Sequence, residues 1–419
     1  MKIKTFGPVD ERSRKQLETC MKAGDAEFGA LCADHHPGYS QPIGGAVAYE
    51  GYISPTGNGW DIGCGNKAVR TNLKAADVDV GGVMQEVARR ISFGMGVPSK
   101  EQADHPVLDK IREATFEPQR ELYDLAVKQL GTVGGGNHYV NVFKDEDDTV
   151  WVGVHFGSRG FGHKTAGYFM SEGGMDSPPT LLPVDHPEGQ AYIEAMELAG
   201  EYAYAGRDIV VEKMLEILGA DSTYEVHNHH NYSWKEEHFG RTYWVVRKGC
   251  TPAQPGQEGF VGGSMGEPSV ILEGAESPDA TESLYSTVHG AGRVMSRSQA
   301  AGRVKRRTVY ACSERDCSFS VPAKAYKGES CPEHPHRKMR KVRREELVRK
   351  GLVDWDAVKQ RLAADGIVVL GGGADEAPEV YKRLPEVLAA HGESIRVKHT
   401  LTPLGVAMAG AEVFDPYKD

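Results

Sequence analysis

The sequence predicts an α+β fold, on three observations. One long stretch repeats its apolar residues at helical spacing, and several short runs rich in β-branched and aromatic residues read as strands. The two kinds of segment do not alternate regularly enough for a doubly wound sheet, and no internal repeat is visible.

In chain order, residues 80–92 read as a helix and 149–155 as a strand. The stretch 188–218 is a long amphipathic helix with apolar positions at Ile193, Met196, Ala199 and Ala203, then Val210, Val211, Met214, Leu215 and Leu218. A break is expected near Gly206, because glycine weakens a helix interior. Strands are expected at 242–247 and 366–370, with a helix at 345–363 between them. Glycine makes up 50 of the 419 residues, well above a typical ~7%. The glycines cluster at 131–136, 153–162, 256–266, 290–292 and 371–373, which marks turns where the backbone approaches a ligand closely.

Composition removes several classes. Hydrophobic residues are 40% and charged residues 26%, as in ordinary soluble proteins. No apolar run approaches the roughly 18–20 residues that span a bilayer, and the first residues show no secretory h-region. Seven scattered cysteines do not form a disulfide framework. The cytoplasm is therefore the expected compartment, with no membrane partner. No Walker A pattern occurs, which argues against a P-loop nucleotide site.

Net charge is −10, but unevenly spread. Residues 303–350 carry 15 Lys and Arg against 6 Asp and Glu, or +9, leaving −19 for the rest. Such segregation predicts a local basic surface for a polyanion, with a solvated charged helix as the plainer reading.

The run Ser286-Thr-Val-His289-Gly-Ala-Gly-Arg293-Val-Met-Ser296-Arg297 places an imidazole beside a glycine turn and two arginines. Gly290, Ala291, Gly292 and Arg293 suit a phosphate, and His289 would lie beside it as nucleophile or proton carrier. Metal-type residues recur in similar settings: Asp61-Ile-Gly-Cys64, Asn137-His138, His155 at a strand end and His229-His230-Asn231. Mixed oxygen, nitrogen and sulfur donors suit two divalent ions sharing a bridging thiolate, with Mn²⁺, Zn²⁺ and Fe²⁺ all open at this point. A separate set, Cys312-x4-Cys317-x13-Cys331-x2-His334 with His336 as a spare, offers a structural zinc site within the basic 303–350 segment. Its basic flanks are 303–307 and 337–344, suited to RNA phosphates or to a protein partner.

Taken in order, these motifs resemble the RtcB family of RNA-splicing ligases. The resemblance rests on Asp34-His-His36-Pro-Gly, Asp61-Ile-Gly-Cys64-Gly, Gly135-Gly-Asn137-His138, His155-Phe-Gly-Ser-Arg159-Gly and His229-His230-Asn231. It continues through Arg247-Lys-Gly-Cys-Thr-Pro, Gly263-Ser264-Met265-Gly-Glu-Pro-Ser269, His289-Gly-Ala-Gly-Arg293 and Glu376-Ala-Pro-x-x-Tyr381-Lys382. It implies one large catalytic domain over 1–419 with a glycine-rich metal and nucleotide cleft, 303–350 being a zinc-ribbon-like insertion. It further implies a GTP- and Mn²⁺-dependent RNA ligase of tRNA splicing or RNA repair. Such an enzyme joins 3′-phosphate or 2′,3′-cyclic phosphate ends to 5′-hydroxyl ends through a histidine–GMP intermediate on His289. By the same resemblance Asp61, Cys64, His138, His155 and His230 hold two metal ions. Asn137, His138, Asn231, Gly263, Ser264, Met265 and Ser269 contact the nucleotide, and an archease-like protein is the candidate activator.

Two departures concern nucleotide choice: Asn141 stands where the family has a guanine-reading glutamate, and Ala409 where it has a lysine. Two other functions are weighed against the ligase. A metal-dependent phosphoesterase would open RNA-end phosphates without joining them, and a non-catalytic RNA-binding paralogue would use the insertion alone.

Overall fold

The computed structural model describes residues 1–170, 174–411 and 413, and for 304–306 and 345–347 the backbone alone, so the side chains of Lys305 and Arg306 in the first basic flank lie outside the described residues. Two sheets build the centre. An eight-stranded sheet runs Ser222–His229, Gly65–Lys74, Thr149–Phe156, Tyr139–Lys144, Ile395–Gly410, Ser269–Gly274 and Glu258–Val261, with Val368–Gly372 also paired to Ile395–Gly410. A five-stranded sheet runs Lys2–Thr5, Phe28–His36, Ile43–Tyr49, Arg241–Lys248 and Asn231–His238. Within these two sheets the described pairings are antiparallel except Lys2–Thr5 with Phe28–His36 and Val368–Gly372 with Ile395–Gly410. The fold is thus α+β, as the irregular order of segments predicts.

The strands Ser222–His229 and Asn231–His238 belong to different sheets, and His230 alone separates them. That residue marks the seam where the two sheets meet.

The helix Pro187–Leu218 is continuous for 32 residues, with proline at its start and Gly219 in the left-handed conformation at its end. The expected break at Gly206 does not occur. A Cβ at that position would make an ordinary 3.4 Å contact with the Phe156 ring, and apolar burial of the helix on both sides of Gly206 outweighs glycine's ~1 kcal/mol helix cost. Tyr192, Met196, Ala199 and Tyr202 pack with Ile62, Phe161 and Phe169. Val210, Val211 and Met214 pack against Val69, Val152, Val154 and Phe156 of the large sheet.

The other predicted elements are found at Val80–Arg90, Thr149–Phe156, Arg241–Lys248 and Val368–Gly372. The helix expected over 345–363 is corrected: Met339–Lys350 is a strand, and the helix spans only Trp355–Ala364, capped by Asp354. The strand pairs along Gly302–Cys312, and pairing with that partner overrides the weak local preference of a charged, exposed run. The two basic flanks therefore lie on the two strands of one antiparallel ribbon and meet where Arg307 pairs with Arg344. Short Ser320–Pro322 completes its three-stranded sheet.

Arg247 is fully buried and forks onto Glu236 (Nη1–Oε1 2.6 Å, Nη2–Oε2 3.0 Å). The same guanidinium donates to the Leu284 carbonyl (2.7 Å) and to Ser286 Oγ (2.9 Å), clamping the strand Ser286–Val288 that leads to His289. Burial works to raise the Glu236 pKa, but the Arg247 charge and the hydrogen bonds from His238 and Arg247 bring it down to about 2 from an ordinary 4.5. A depressed carboxylate stabilises fully above its unfolded value and loses that contribution as pH falls through its folded value. Urea unfolding of Glu236→Ala is expected to show a loss of roughly 3–5 kcal/mol at neutral pH, because Arg247 is left buried without its partner. That deficit should shrink between pH 4.5 and about 2; a pH-independent difference would refute the assignment.

Candidate active site

Asp61 and Cys64 sit in the turn that enters the strand Gly65–Lys74, closed by the Cys64 amide donating to the Asp61 carbonyl (3.1 Å). Gly63 within it has φ +70°, and a Cβ there would come within 3.2 Å of Gly200 and Ala203 on the long helix. Both the backbone conformation and the space call for glycine. Asp61 Oδ1 accepts from the Ser158 amide (3.0 Å), while Oδ2 faces His138 Nε2 at 3.2 Å. His138 Nδ1 donates to the Val133 carbonyl (2.9 Å), which leaves Nε2 without its hydrogen in the neutral ring. Two lone-pair-bearing atoms then face each other, and a cation between them satisfies both.

Cys64 Sγ lies 3.7 Å from His138 Nε2 and 3.5 Å from His155 Nε2. His155 stands at the end of Thr149–Phe156 and His230 at the seam between sheets. Two overlapping groups result, Asp61/Cys64/His138 and Cys64/His155/His230, the ligand atoms of each lying within 4.8 Å of one another. Cys64 belongs to both, the arrangement a bridging thiolate needs. Burial above all holds both His155 and His230 well below their ordinary pKa. Both rings are therefore neutral and free to coordinate. Burial and Asp61 push the Cys64 thiol well up, so only a bound cation would make it a thiolate at neutral pH. His230 Nδ1 is buried with no hydrogen-bond partner. The donor set fits divalent transition-metal ions.

His229, adjacent in sequence, turns the other way. Its Nδ1 lies 2.9 Å from the Gly63 carbonyl and 3.0 Å from Arg207. Arg207, fully buried on the long helix, donates to the Gly63 carbonyl (2.9 Å), the Phe156 carbonyl (2.6 Å) and His227 Nε2 (2.8 Å). One guanidinium thus ties together the Asp61–Cys64 turn, the end of the His155 strand and the strand leading to His230. Arg159 opens the neighbouring helix at φ +55°, with its guanidinium 3.2 Å from His138 Nδ1; a non-glycine residue held there marks backbone strain beside the site.

His289 meets this group from the other side, its ring centroid 4.8 Å from that of His230. Its Nδ1 donates to Asp34 Oδ2 (2.7 Å), which also accepts the His289 amide (3.2 Å). Burial would raise the Asp34 pKa, but attraction to His289 and its hydrogen bonds hold it below the carboxylate norm. The carboxylate fixes the ring with Nε2 as its free nitrogen. Gly292 has φ +78°, and a Cβ there would run into the Asp34 carbonyl. Lys382 donates to the Ala33 and His35 carbonyls (2.9 and 3.1 Å), and its amide donates to the Gly292 carbonyl (2.8 Å). The Glu376-to-Lys382 motif thereby braces the His289 loop.

The remaining sequence candidates fall around this centre. A bridge between Gly262 and Gly290 joins the Gly263-Ser264-Met265 loop to the His289 loop. The Gly263 amide donates to Ser269 Oγ (3.0 Å). Tyr139 OH, Asn141 Oδ1 and Ser264 Oγ are buried without hydrogen-bond partners, and such orphans mark where a polar ligand docks. Asn137 is half-buried beside His138. Met265 packs in the cluster of Trp151 and Leu362, and Ala291 in that of Cys32 and Val288. Asn231 is engaged internally, accepting from the Gly249 amide (2.7 Å) and donating to the Asp61 carbonyl (3.4 Å). Arg293 reaches the Asp375 carbonyl (2.8 Å) and Tyr381 OH (3.1 Å). Ala409 lines a small pocket with Gly135, Gly136, Gly372, Asp375 and Glu376.

The family model described as tRNA-splicing ligase RtcB matches residues 26–121 and 109–349. The chain belongs to the RtcB family. An RNA-splicing ligase RtcB of Escherichia coli (strain K12) is 32% identical over 331 residues, covering 70% of this chain and 80% of that protein. A tRNA-splicing ligase RtcB of Archaeoglobus fulgidus is 30% identical over 368 residues, covering 67% and 76%. An RNA-splicing ligase RtcB of Mycobacterium bovis is 29% identical over 463 residues, covering 89% and 94%.

Reading the sequence alone missed Asp34 as the partner of His289 and missed Arg207 altogether, and it named Arg159 within its motif without giving it a role. In this RtcB-family chain, Arg207→Lys keeps a charge but cannot span two carbonyls and two imidazoles. Titration calorimetry with Mn²⁺ should show affinity weakened by about 10–100-fold, with far-UV circular dichroism unchanged. Wild-type affinity in that variant would count against the bracing role.

Proposed function

We propose that this chain is an RNA ligase that joins RNA 3′-phosphate or 2′,3′-cyclic phosphate ends to 5′-hydroxyl ends, in tRNA splicing or RNA repair. GTP activates the end, and two Mn²⁺ ions occupy the Asp61/Cys64/His138 and Cys64/His155/His230 groups. The observation that carries this reading is His289, its Nδ1 held by buried Asp34 and its ring set against His230 of the metal group.

The chemistry follows from that geometry. His289 Nε2 attacks the α-phosphorus of GTP, the bond to the β-phosphate oxygen breaks, and pyrophosphate leaves. Asp34 keeps the imidazole in the tautomer with a free Nε2 and offsets the positive charge that develops on the ring. A terminal RNA 3′-phosphate then takes GMP from His289, giving an RNA-(3′)pp(5′)G end and restoring the free ring. The 5′-hydroxyl attacks the RNA-side phosphorus, GMP leaves, and a phosphodiester closes. Divalent ions bound at the five ligands would screen the triphosphate and neutralise the leaving pyrophosphate. The loop at Gly263-Ser264-Met265, with its orphaned Ser264 hydroxyl, supplies polar contacts for the nucleotide.

Covalent labelling with α-labelled GTP and Mn²⁺, run beside the three other NTPs, tests the reading. Wild type should take label and His289→Ala should not; no label under any divalent metal, or undiminished label in the variant, would overturn it. Asp34→Asn should label at least roughly 100-fold more slowly, since the ring loses its fixed tautomer. Selectivity is a further expectation: Asn141→Glu should raise the preference for GTP over ATP, because a carboxylate accepts from guanine where a carboxamide is indifferent.

A further inference from the structure

The cysteine set of the inserted ribbon lies apart from the metal group that serves His289, and its chemistry is different. Cys312 ends the strand Gly302–Cys312, Cys317 lies in the following turn, and Cys331 and His334 lie in the loop before Met339–Lys350. Four donors from three separate places in the ribbon converge, all within 4.8 Å of one another.

We propose that Cys312, Cys317, Cys331 and His334 hold a structural zinc ion that folds the inserted ribbon. Cys317 and Cys331 have sulfurs 3.6 Å apart, and Cys331 Sγ lies 3.9 Å from His334 Nδ1. Zinc bonds of about 2.3 Å to sulfur and 2.0–2.1 Å to nitrogen, directed tetrahedrally, require edges of about 3.5–3.8 Å. A disulfide would need sulfurs about 2.05 Å apart, and all seven cysteines are free thiols. The Glu314 amide points at Cys312 Sγ (3.5 Å), the kind of support a metal-bound thiolate receives from backbone N–H groups. His336, the spare ligand of the sequence reading, stands outside the group, its ring centroid 6.4 Å from that of His334.

Packing gives an independent reason. The hydrophobic cluster of this ribbon is Cys312, Cys317 and Cys331 themselves, with Phe319 and Met339 partly buried against them. A tyrosine stack, Tyr310 on Tyr326 at 3.9 Å, adds little more. So small a core does not order a hairpin carrying this many exposed cations, and small modules of this kind fold on a metal. Four protein ligands close the tetrahedron and leave no position for a substrate, so the ion is structural.

The test uses tag-free full-length protein dialysed against EDTA to strip exchangeable metals. Mercurial release of thiolate-held zinc, read with a metallochromic dye, should give about one equivalent in wild type and in Cys64→Ala. It should give none in Cys331→Ser. His334→Cys, which keeps a tetrahedral Cys set, should retain the equivalent, guarding against simple misfolding of the serine variant. Trypsin should cut within 303–350 in Cys331→Ser while the rest of the chain stays intact, and GTP labelling at His289 should persist. Wild type without thiolate-held zinc, or Cys331→Ser retaining it, would overturn the proposal. Loss of zinc in Cys64→Ala would assign the ion to the other group, with the same consequence. Labelling failure alone would bear on the ligase reading and leave zinc stoichiometry to decide this one.

Discussion

The guanidinium of Arg207 is the interaction on which the site depends. It is fully buried, and its described partners are two carbonyl oxygens and two imidazole rings rather than a carboxylate. Each of those acceptors belongs to a segment that delivers a metal-type side chain: Gly63 to Cys64, Phe156 to His155, His229 to His230. A buried cation without a carboxylate is costly unless its hydrogen bonds are complete. The same charge opposes the burial penalty on the Cys64 thiolate. The geometry of the candidate metal group is therefore braced by one side chain from one helix.

A second consequence is that the site is made by the seam between sheets and not by either sheet alone. His230 occupies the single position between strands of different sheets, its amide bonded to the Cys64 carbonyl (2.8 Å) and its carbonyl to the Cys250 amide (3.0 Å). Cys250 in turn begins the short strand that pairs with Ser286–Val288. Backbone hydrogen bonds thus run from the Asp61–Cys64 turn through His230 to the strand that leads to His289. Arg247 clamps that same strand from the five-stranded sheet. Relative displacement of the sheets would separate His289 from the Asp61/Cys64/His138 and Cys64/His155/His230 groups, so the backbone hydrogen bonds at the seam hold the candidate site together.

Much of this was legible in the chain. The metal-type residues were readable because each sits in a glycine-rich turn of distinctive composition, and periodicity located the long helix because its stripe spans many turns. What was not legible is pairing at a distance. Asp34 lies 255 residues from His289, and no local pattern links them. Arg207 did leave a trace: it occupies a stripe position between Ala203 and Val210, where an arginine breaks the apolar rule. Gly206 drew attention instead, as a helix breaker, although the helix runs through it unbroken. The strand Met339–Lys350 was unreadable for the opposite reason. It is exposed and charged, so its conformation is chosen by the partner strand and not by its own residues.

The position of the inserted ribbon explains how the fold tolerates it. Both ends are fastened to the helix Arg297–Ala301, which directly follows the His289 loop. Gly302 pairs with Lys350, and the amides of Leu352 and Val353 donate to the carbonyls of Gln299 and Ala300 (3.0 and 3.2 Å). That helix is closed by a capping box between Ser296 and Gln299 and anchored by Arg297 on Asp375 (3.1 Å) and Glu376. An arm grafted there cannot pull on His289 without first breaking a mostly buried ion pair. It also concentrates positive charge: net +9 on 303–350 against −19 elsewhere. An acidic body repels a polyanion at long range, so attraction of one has to be local, and the basic segment enters and leaves the fold beside the His289 loop.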